Sequence, residues 1–268
     1  MNTGMGEVKV PSEPRSVAVL VGPFNDHLLA LGVKPTAADS GDKNRFPSYL
    51  ASRLEGVQQL GNTWTPNLEA ILQAQPDLIL SQKGVHEKAY GDLTRIAPTI
   101  LFDEPTKDWR KTLLEIGEIV GKKETAETRL AEFDRKASET KEKLKGRSGE
   151  TFMFLRVMPK EIRVYDKKKP VVELMIRQLG LTPAAGIPDE QALAVTMEKL
   201  PELNPDHIYL LNESEERLKE FQDNPLWKNL TAVRKGQIHP VTQEIWVAGA
   251  GPLALEQAMD DIAKALVK

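Results

Sequence analysis

The stretch Pro66-Asn-Leu-Glu-Ala-Ile-Leu-Gln-Ala-Gln-Pro-Asp-Leu-Ile-Leu80 contains a helix, a break and a strand in direct succession. The apolar spacing of residues 67–75 predicts an amphipathic helix. Pro76-Asp77 interrupts that helix, and Leu78-Ile-Leu80 is typical of a short buried strand. A helix followed at once by a buried strand is half of a βαβ unit, so this stretch favours an α/β fold.

The same alternation continues on both sides of that stretch. Before it, the apolar residues 15–21 predict a strand, and a helix over 25–31 ends at Gly32. After it come a helix over 89–97 and a strand over 98–102. Strands that alternate with helices of roughly ten residues indicate a mainly parallel sheet.

Residues 122–144 interrupt this pattern with one long helix. No Gly, Pro or strand-like run occurs there, and Glu132 and Lys136 can pair at i,i+4 on the solvent face. At 1.5 Å per residue such a helix would be about 35 Å long, enough to reach from one lobe to another. We therefore expect an N-terminal ligand-binding lobe over 1–121, a connecting helix over 122–146 and a C-terminal ligand-binding lobe over 147–268.

Alternation resumes beyond the long helix. Strands are predicted over 152–157, 162–165 and 207–211, and helices over 171–179 and 251–267. Taken with the first part of the chain, the pattern predicts an α/β fold of two lobes, each with a mainly parallel central sheet, joined by one long helix.

Two short motifs occur once on each side of the long helix. Leu31-Gly-Val-Lys-Pro35 is matched by Leu179-Gly-Leu-Thr-Pro183. Glu69 stands seven residues before Pro76-Asp77, and Glu198 stands seven residues before Pro205-Asp206. Either these are generic connections between helix and strand, or the two lobes are an old duplication, and their identical order favours duplication.

Composition excludes several classes of protein. The 268 residues include 36 Lys and Arg against 39 Asp and Glu, a net charge of −3, whereas nucleic-acid binders normally have a basic excess. The longest apolar run, residues 17–21, is far shorter than the roughly 20 residues of a membrane helix. The polar residues 1–6 predict no signal peptide. The absence of cysteine excludes disulfides, thiolate metal sites and cysteine nucleophiles.

Catalytic motifs are incomplete or missing. Asp39-Ser-Gly41 lacks the second carboxylate of an aspartic protease, and there is no Gly-x-Ser-x-Gly, Walker loop or His-Glu-x-x-His. Gly249-Ala-Gly-Pro-Leu-Ala254 imitates a dinucleotide fingerprint, but only 14 residues follow it, too few for the required strand and acidic residue. Pro252 indicates an ordinary helix start there. We expect no catalytic residues.

The four histidines are spaced too widely for a familiar metal motif. His27, His86, His207 and His239 are at least 32 residues apart, whereas a site made only of protein ligands usually has one close pair. We therefore expect structural roles for these residues and no bound metal.

Cationic and aromatic residues at the ends of predicted strands are the best candidates for a binding site. They are Trp64, Lys83, Arg156 and Trp246. Open α/β sheets bind ligands beyond the carboxyl ends of their strands, so these side chains can converge on a cleft. The alternatives are a surface lysine, an arginine in a salt bridge and tryptophans packed on their lobes. Trp109 and Trp227 lie in helical contexts, so we expect them in the core.

Segments along nearly the whole chain carry a family resemblance. They are Pro14-Arg-Ser-Val-Ala-Val-Leu20, Leu28-Leu-Ala-Leu-Gly-Val-Lys-Pro35, Pro66-Asn-Leu-Glu-Ala-Ile71 with Gln75-Pro-Asp-Leu-Ile-Leu80, His86-Glu-Lys88, Ile96-Ala-Pro-Thr99, Glu161-Ile-Arg-Val-Tyr165, Asn224-Pro-Leu-Trp-Lys-Asn-Leu230, Ala232-Val-Arg-Lys-Gly-Gln-Ile238 and Gly251-Pro-Leu-Ala254. In these segments the chain resembles the substrate-binding proteins of ABC importers that carry ferric siderophores, which are relatives of the vitamin B12 and haem binders.

The resemblance implies two Rossmann-like lobes joined by one long α-helix, with a ferric siderophore captured in the cleft between the lobes. The ligand would be a hydroxamate or mixed citrate–hydroxamate chelate that itself holds Fe3+, so no other cofactor is expected. The protein would be a monomer outside the cytoplasmic membrane, periplasmic or lipid-anchored at its outer face, with signal and anchor absent from this chain. Its partner would be an ABC permease dimer with its ATPase.

The chemistry of such a ligand assigns roles to individual candidate residues. Lys83 and Arg156 would hydrogen-bond the oxygens of the chelate, while Trp64 and Trp246 would cover its organic backbone. His86 belongs to a family-like segment and is a further candidate ligand-binding residue.

Two positions depart from the family pattern. Thr63, also a candidate ligand-binding residue, stands where some hydroxamate binders have arginine. Val247-Ala248 stands where some citrate-type binders place arginines.

Glu69 and Glu198, one in each lobe, would contact arginines of the permease dimer. Two equivalent charges on two related lobes suit a partner with two-fold symmetry. The alternative is that both are solvated glutamates favoured at helix starts. The alternatives for the whole protein are a haem or cobalamin binder and a two-lobed α/β metal-cofactor enzyme.

Overall fold

The computed structural model describes residues 2–3, 6–41, 44–147 and 149–267. Met1, Gly4 and Met5 of the polar opening segment lie outside the described residues. No helix in the described part of the chain is both long enough and apolar enough to span a membrane.

The chain divides into two compact units. The first unit is Met1–Phe133 with Ala248–Ala254, and the second is Asp134–Val247 with Leu255–Lys268. The first boundary therefore falls inside the long helix, which we had predicted as a separate connector over 122–146. In addition, the short segment Ala248–Ala254, which the sequence places in the C-terminal lobe, belongs to the first unit.

The first unit is built around a parallel sheet. Its strands are β1 (Asn2–Thr3), β2 (Gly6–Glu7), β3 (Val17–Val19), β4 (Ala37–Ala38), β5 (Gln58–Gln59), β6 (Leu78–Gln82) and β7 (Thr99–Phe102). Strands β3 to β7 pair in the order β5-β4-β3-β6-β7, parallel throughout, while β1 and β2 form a separate antiparallel pair. All residues of β3, β4 and β7 are buried, as expected of a parallel sheet covered on both faces.

Helices connect these strands. They are α1 (Pro23–Ala30), α2 (Ser48–Ala51), α3 (Leu68–Gln73), α4 (Lys83–His86), α5 (Tyr90–Ile96) and α6 (Trp109–Ile119). Asn67 caps α3, because its side-chain oxygen accepts a hydrogen bond of 3.0 Å from the backbone N–H of Ala70. The stretch that predicted a helix, a break and a strand thus forms α3 and β6.

The predicted long helix is confirmed as α7 (Lys123–Lys143). Its 21 residues span about 32 Å at 1.5 Å per residue. The ion pair predicted between Glu132 and Lys136 is wrong. Glu132 pairs instead with Arg129, and Lys136 reaches Asp260 at 2.8 Å.

The second unit contains a mixed sheet. Its strands are β8 (Thr151–Val157), β9 (Ile162–Val164), β10 (Thr182–Pro183), β11 (Leu193–Val195), β12 (His207–Asn212) and β13 (Ile238–Pro240). They pair in the order β11-β9-β8-β12-β13, with β10 added beside β8. Strands β8, β10, β12 and β13 are parallel, whereas β9 runs antiparallel to β8 and to β11.

Most helices of the second part of the chain have only four residues, and α10 and α14 are longer. They are α8 (Pro170–Glu173), α9 (Leu200–Leu203), α10 (Glu215–Asp223), α11 (Pro225–Lys228), α12 (Thr231–Arg234), α13 (Gln243–Trp246) and α14 (Pro252–Leu266). A wider helical turn, Leu174–Gln178, continues α8, so the predicted helix over 171–179 is confirmed. The predicted closing helix is α14.

In both units the aspartate of a Pro-Asp pair accepts backbone hydrogen bonds at the start of a central strand. Asp77, just before β6, accepts hydrogen bonds from the backbone N–H groups of Arg15 (2.9 Å) and Ser16 (3.0 Å), just before β3. Asp206, just before β12, accepts one of 3.0 Å from the N–H of Thr151, the first residue of β8. The two aspartates therefore have the same structural place, which supports the duplication.

The two Leu-Gly motifs are also equivalent. Gly32 follows α1 and Gly180 follows the turn after α8, and each precedes a strand parallel to the first central strand. Their φ angles are +73° and +71°, a region that glycine adopts without steric cost.

Candidate functional site

The carboxyl ends of the parallel strands in the first unit meet at one edge of the sheet. The residues that follow these ends are Leu20 after β3, Asp39 after β4, residues 61–66 beyond β5, Lys83 after β6 and Asp103 after β7. Residues 61–66 are called the Trp64 loop below. Open α/β sheets bind their ligands at this edge.

Thr63 ties the Trp64 loop to the sheet. It is buried, and its hydroxyl lies within hydrogen-bond distance of the Leu20 carbonyl oxygen and of the Asp39 carboxylate. Next to it, Gly61 donates its N–H to the Ser40 hydroxyl (3.2 Å) and accepts the N–H of Ser40 (3.1 Å). The loop is therefore attached at the ends of both β3 and β4.

His86 attaches the same loop to β6. Its Nδ1 lies 2.6 Å from Ser81 Oγ, and its Nε2 is hydrogen-bonded to the carbonyl oxygen of Thr63. Because a carbonyl oxygen only accepts, Nε2 carries a proton, and in the neutral ring Nδ1 then accepts from the Ser81 hydroxyl. Thr63 and His86, both predicted to contact a ligand, are buried and engaged within the protein. In this structure they position the loop and offer no exposed surface.

Trp64 and Lys83 lie at the edge as predicted from their sequence positions. Trp64 is 75% exposed, and its backbone N–H donates to the side-chain oxygen of Asn62 (2.9 Å). A large exposed indole on an anchored loop is an apolar contact surface. Lys83 begins α4, and its ammonium lies 3.7 Å from the carboxylate of Asp103.

Arg156 lies at the corresponding edge of the second unit, near the carboxyl end of β8. Its Nε and Nη2 donate to the two carboxylate oxygens of Glu213 (3.0 and 2.9 Å), and its Nη1 donates to the Tyr165 hydroxyl (3.1 Å). Burial lowers the pKa of the guanidinium, but the hydrogen bonds with Tyr165 and Glu213 outweigh it and raise that pKa. The salt-bridge alternative for Arg156 is thus present, yet these bonds do not use all of its N–H donors.

Tyr165 lies beside a second cation, Lys169. The Tyr165 ring stacks on Phe154, with centroids 4.4 Å apart, and Lys169 Nζ lies 5.4 Å from the centroid of the Tyr165 ring. Lys169 Nζ also donates to the carbonyl oxygen of Val247 (2.6 Å). Burial lowers the pKa of the Lys169 ammonium; Asp166 opposes this, and the charge of Arg156 adds to it.

Sequence reasoning did not find Tyr165, Lys169 or Glu213. Glu213 directly follows the buried strand β12, so the rule that selected Lys83 after β6 could have found it. The contacts of Tyr165 and Lys169 depend on pairing between β8 and β9, for which the sequence carries no local signal.

Trp246 lies in the aromatic core of the second unit. Its indole is fully buried, stacks on Tyr209 with centroids 4.7 Å apart and meets Phe154 edge-on at 5.2 Å. It supports Tyr165 through Phe154, whereas we had expected it to cover a ligand. Trp109 and Trp227 are buried in the core as predicted.

Glu69 and Glu198 are exposed at equivalent places of the two units. Glu69 lies in the first turn of α3, and Glu198 lies in the short helical turn Met197–Lys199 that leads into α9. Hydrogen bonds from the Thr196 side chain and from its own backbone N–H lower the pKa of the Glu198 carboxyl.

In the segment 249–254, which imitates a dinucleotide fingerprint, the backbone N–H groups bind a carboxylate of the protein itself, that of Asp26. Helix α14 begins at Pro252, and the N–H groups of Leu253 and Ala254 each donate to the carboxylate of Asp26 at 2.8 Å. Asp26 is fully buried and also accepts from the Tyr49 hydroxyl (3.1 Å). Burial raises the pKa of Asp26, while the neighbouring His27 and these hydrogen bonds oppose the rise. The protein's own carboxylate thus occupies the place where a nucleotide phosphate would bind.

Histidines engage other protein groups. His207 Nδ1 lies 3.1 Å from His239 Nε2, and His207 Nε2 lies 2.7 Å from a carboxylate oxygen of Glu150. In the described ranges, no three His, Asp or Glu side chains come together in a way that could hold a metal ion.

The comparisons with known proteins agree on one family. The sequence profile of the family described as periplasmic binding protein matches residues 17–244. The probable siderophore-binding lipoprotein YfiY of Bacillus subtilis is 29% identical over 94% of this chain and 82% of its own length. The Fe(3+) dicitrate-binding periplasmic protein FecB of Escherichia coli is 28% identical over 97% of this chain and 87% of its own.

A solved structure shows the same fold. The crystal structure of Staphylococcus aureus SirA complexed with staphyloferrin B has a TM-score of 0.84 to this chain at 23% identity, covering 99% of this chain and 97% of that one.

Proposed function

The chain belongs to the periplasmic binding protein family, and from that premise we propose that it captures a ferric siderophore and delivers it to an ABC importer. The names of YfiY and FecB, a siderophore-binding lipoprotein and a ferric dicitrate-binding periplasmic protein, support both the ligand and a place outside the cytoplasmic membrane. The ligand proposed is a hydroxamate or mixed citrate–hydroxamate chelate. The chelator would hold Fe3+, so the protein need supply no metal ligand, and the family's name and that of YfiY support a binding role without catalysis.

The observation that carries the proposal is Arg156 at the carboxyl edge of the second sheet. It is permanently cationic, partly shielded from water and held in a fixed direction by Glu213 and Tyr165. Such a guanidinium forms strong hydrogen bonds with the anionic oxygens that an iron chelate presents. In the first unit Lys83 and the exposed Trp64 provide a cation and an apolar surface at the corresponding edge.

Glu69 and Glu198 are the proposed contacts with the permease dimer. Both are exposed, and each precedes the Pro-Asp pair of its own unit. Complementary charges between protein partners set orientation and association rate, so this contact would weaken with added salt.

Titration of the intrinsic tryptophan fluorescence tests the function directly. We expect a saturable change with ferric citrate-type or hydroxamate chelates and none with haem or cobalamin. The proposal would be overturned if no ferric chelate changed the fluorescence up to about 1 mM. A Kd of that size corresponds to a binding free energy of only about −4 kcal/mol. Saturable uptake of haem or cobalamin, seen in the visible absorbance of the ligand, would replace it with that alternative.

Arg156→Ala measures the contribution of the guanidinium. Loss of a hydrogen bond to a charged group costs about 1.5–3 kcal/mol, so we expect Kd for the chelate to rise roughly 10- to 150-fold. The control is Arg177→Ala, which removes an exposed arginine paired within its own helical turn to Glu173 and should leave Kd unchanged. A lower melting temperature with unchanged Kd would show that Arg156 is only a structural ion-pair partner.

A further inference from the structure

Two cations, Arg156 and Lys169, lie beside Tyr165, and the two carboxylates near them differ in how they are used. Glu213 is bidentate with Arg156, whereas the hydrogen-bond acceptor of Lys169 among the described residues is the carbonyl oxygen of Val247, which carries no charge. Asp166 acts on Lys169 electrostatically, but one of its carboxylate oxygens already accepts the backbone N–H of Lys168 (2.9 Å). Among the described residues, the ammonium of Lys169 therefore has no carboxylate hydrogen-bonded to it.

Lys169 differs in this respect from its two neighbours in the chain. Lys167 pairs with Asp189 at 2.8 Å, and Lys168 pairs with Glu190, so each of these two lysines has its own carboxylate partner. Lys169 is half-buried, and its ammonium lies over the face of Tyr165. The three lysines are alike in sequence, but only the third is directed to the site.

The half-buried ammonium of Lys169 would be stabilised by a hydrogen bond to an anionic oxygen of a ligand. Burial has removed part of its water, the nearby guanidinium repels it, and both effects disfavour its charged form. A lysine ammonium has three N–H donors, of which the Val247 carbonyl takes one. A carboxylate brought next to it would accept a charge-assisted hydrogen bond and balance the positive charge.

We infer that Lys169 binds a free carboxylate of the chelate and thereby selects citrate-type or mixed citrate–hydroxamate ligands over neutral trihydroxamates. This inference rests on the proposed function. Three hydroxamates balance the three charges of Fe3+, so a trihydroxamate complex without other ionised groups has no net charge and gives Lys169 no anion. Chelates with several citrate carboxylates keep ionised oxygens beyond those that bind iron. Lys169 would then form, with Arg156, a subsite for anionic oxygens.

The test compares two probes on three variants. Ferric dicitrate is the anionic probe and ferrichrome the neutral one, titrated into wild type, Lys169→Met and the control Lys168→Met. Lys169→Met keeps the aliphatic chain and removes the charge. We expect its Kd for ferric dicitrate to rise roughly 10-fold or more, with little change for ferrichrome and none for either probe in Lys168→Met. Lys169→Arg should recover most of the binding of ferric dicitrate.

The outcomes separate this inference from the function on which it rests. Equal loss for both probes in Lys169→Met, or failure of Lys169→Arg to recover binding, would show that Lys169 only supports the fold. Unchanged binding of ferric dicitrate in Lys169→Met would overturn the inference while the siderophore function stands. So would a wild type that binds only ferrichrome. A wild type that binds no ferric chelate would overturn both.

Discussion

At the scale of single residues, Gly251 is constrained by space and not by backbone conformation. A Cβ added there would lie 2.4 Å from Asp26 Oδ1, the oxygen that accepts the N–H of Leu253. An alanine must therefore displace the buried carboxylate that caps α14. The glycine that resembles part of a nucleotide motif is required by the protein's own anion.

This contact gives a double-mutant prediction. Gly251→Ala should destabilise the protein by about 1–3 kcal/mol through overpacking, and Asp26→Ala by a similar amount, because it leaves buried N–H groups without an acceptor. The double variant should lose less than the sum, since the alanine methyl then has room. Urea unfolding measures all three. Gly91→Ala, where an added Cβ meets open space, is the control; strictly additive losses would contradict the contact.

Trp64 and Trp246 separate binding from stability. Trp64 is 75% exposed, so Trp64→Ala should change the free energy of unfolding by less than about 0.5 kcal/mol while chelate affinity falls. Trp246 is fully buried, so Trp246→Ala should cost about 3–5 kcal/mol of stability. Thermal unfolding and fluorescence titration of each variant provide the comparison. If Trp64→Ala kept full affinity for the chelate, the Trp64 loop would lie outside the binding surface.

At the scale of secondary-structure elements, Asp206 links the stability of the second sheet to pH. The backbone N–H of Thr151 lowers the pKa of Asp206, partial burial opposes this, and Lys235 adds to the lowering. A carboxyl with a lowered pKa stabilises the folded state above the unfolded pKa of about 3.8 and loses that contribution as pH falls through the folded value.

Asp206→Asn should therefore be less stable than wild type at pH 7, by about 1–2 kcal/mol, and this difference should shrink as the pH falls toward 2. Chemical unfolding at both pH values measures the difference. The exposed Glu127→Gln on α7 is the control and should differ little from wild type at either pH. A difference for Asp206→Asn that did not shrink at low pH would exclude the ionised carboxylate as its cause.

The sequence predicted those elements whose signal is local. Apolar runs predicted β6 and β8. An uninterrupted helical pattern predicted α7 to within one residue at each end. The short strands β5 and β10 were not predicted, because two residues carry no periodicity and their pairing with a longer neighbour defines them.

The candidate site was predicted less completely than the fold, for the same reason. Arg156 could be recognised as a charge within an apolar strand, but its partner Glu213 lies 57 residues away in sequence. Trp64 and Trp246 look alike as tryptophans near predicted helix starts. Only tertiary packing exposes the first and buries the second.

At the scale of the whole molecule, the repeated glutamates predict a split between ligand capture and delivery. Glu69→Ala with Glu198→Ala should leave chelate affinity at the wild-type value, because both side chains are exposed and neither is among the residues proposed to contact the chelate. Uptake, or stimulation of the reconstituted importer's ATPase, should fall sharply and depend on salt concentration.

The matched control changes one exposed helix glutamate in each unit, Glu118→Ala with Glu220→Ala. This pair should leave both affinity and delivery unchanged. If the double variant at Glu69 and Glu198 supported uptake as well as wild type, these residues would be excluded from docking. A loss of chelate affinity would instead show that they belong to the ligand-binding surface.

The cap that Asp26 places on α14 sets an order of events during biosynthesis. Asp26 is synthesised long before its partners, because the N–H groups that it accepts from come 227 and 228 residues later in the chain. Until then its carboxylate stays in water, because its burial without those partners would be costly. The first unit consequently cannot complete its fold before residues 253 and 254 have been synthesised. The Asp26 cap on α14 is therefore formed only after the start of α14 has been synthesised.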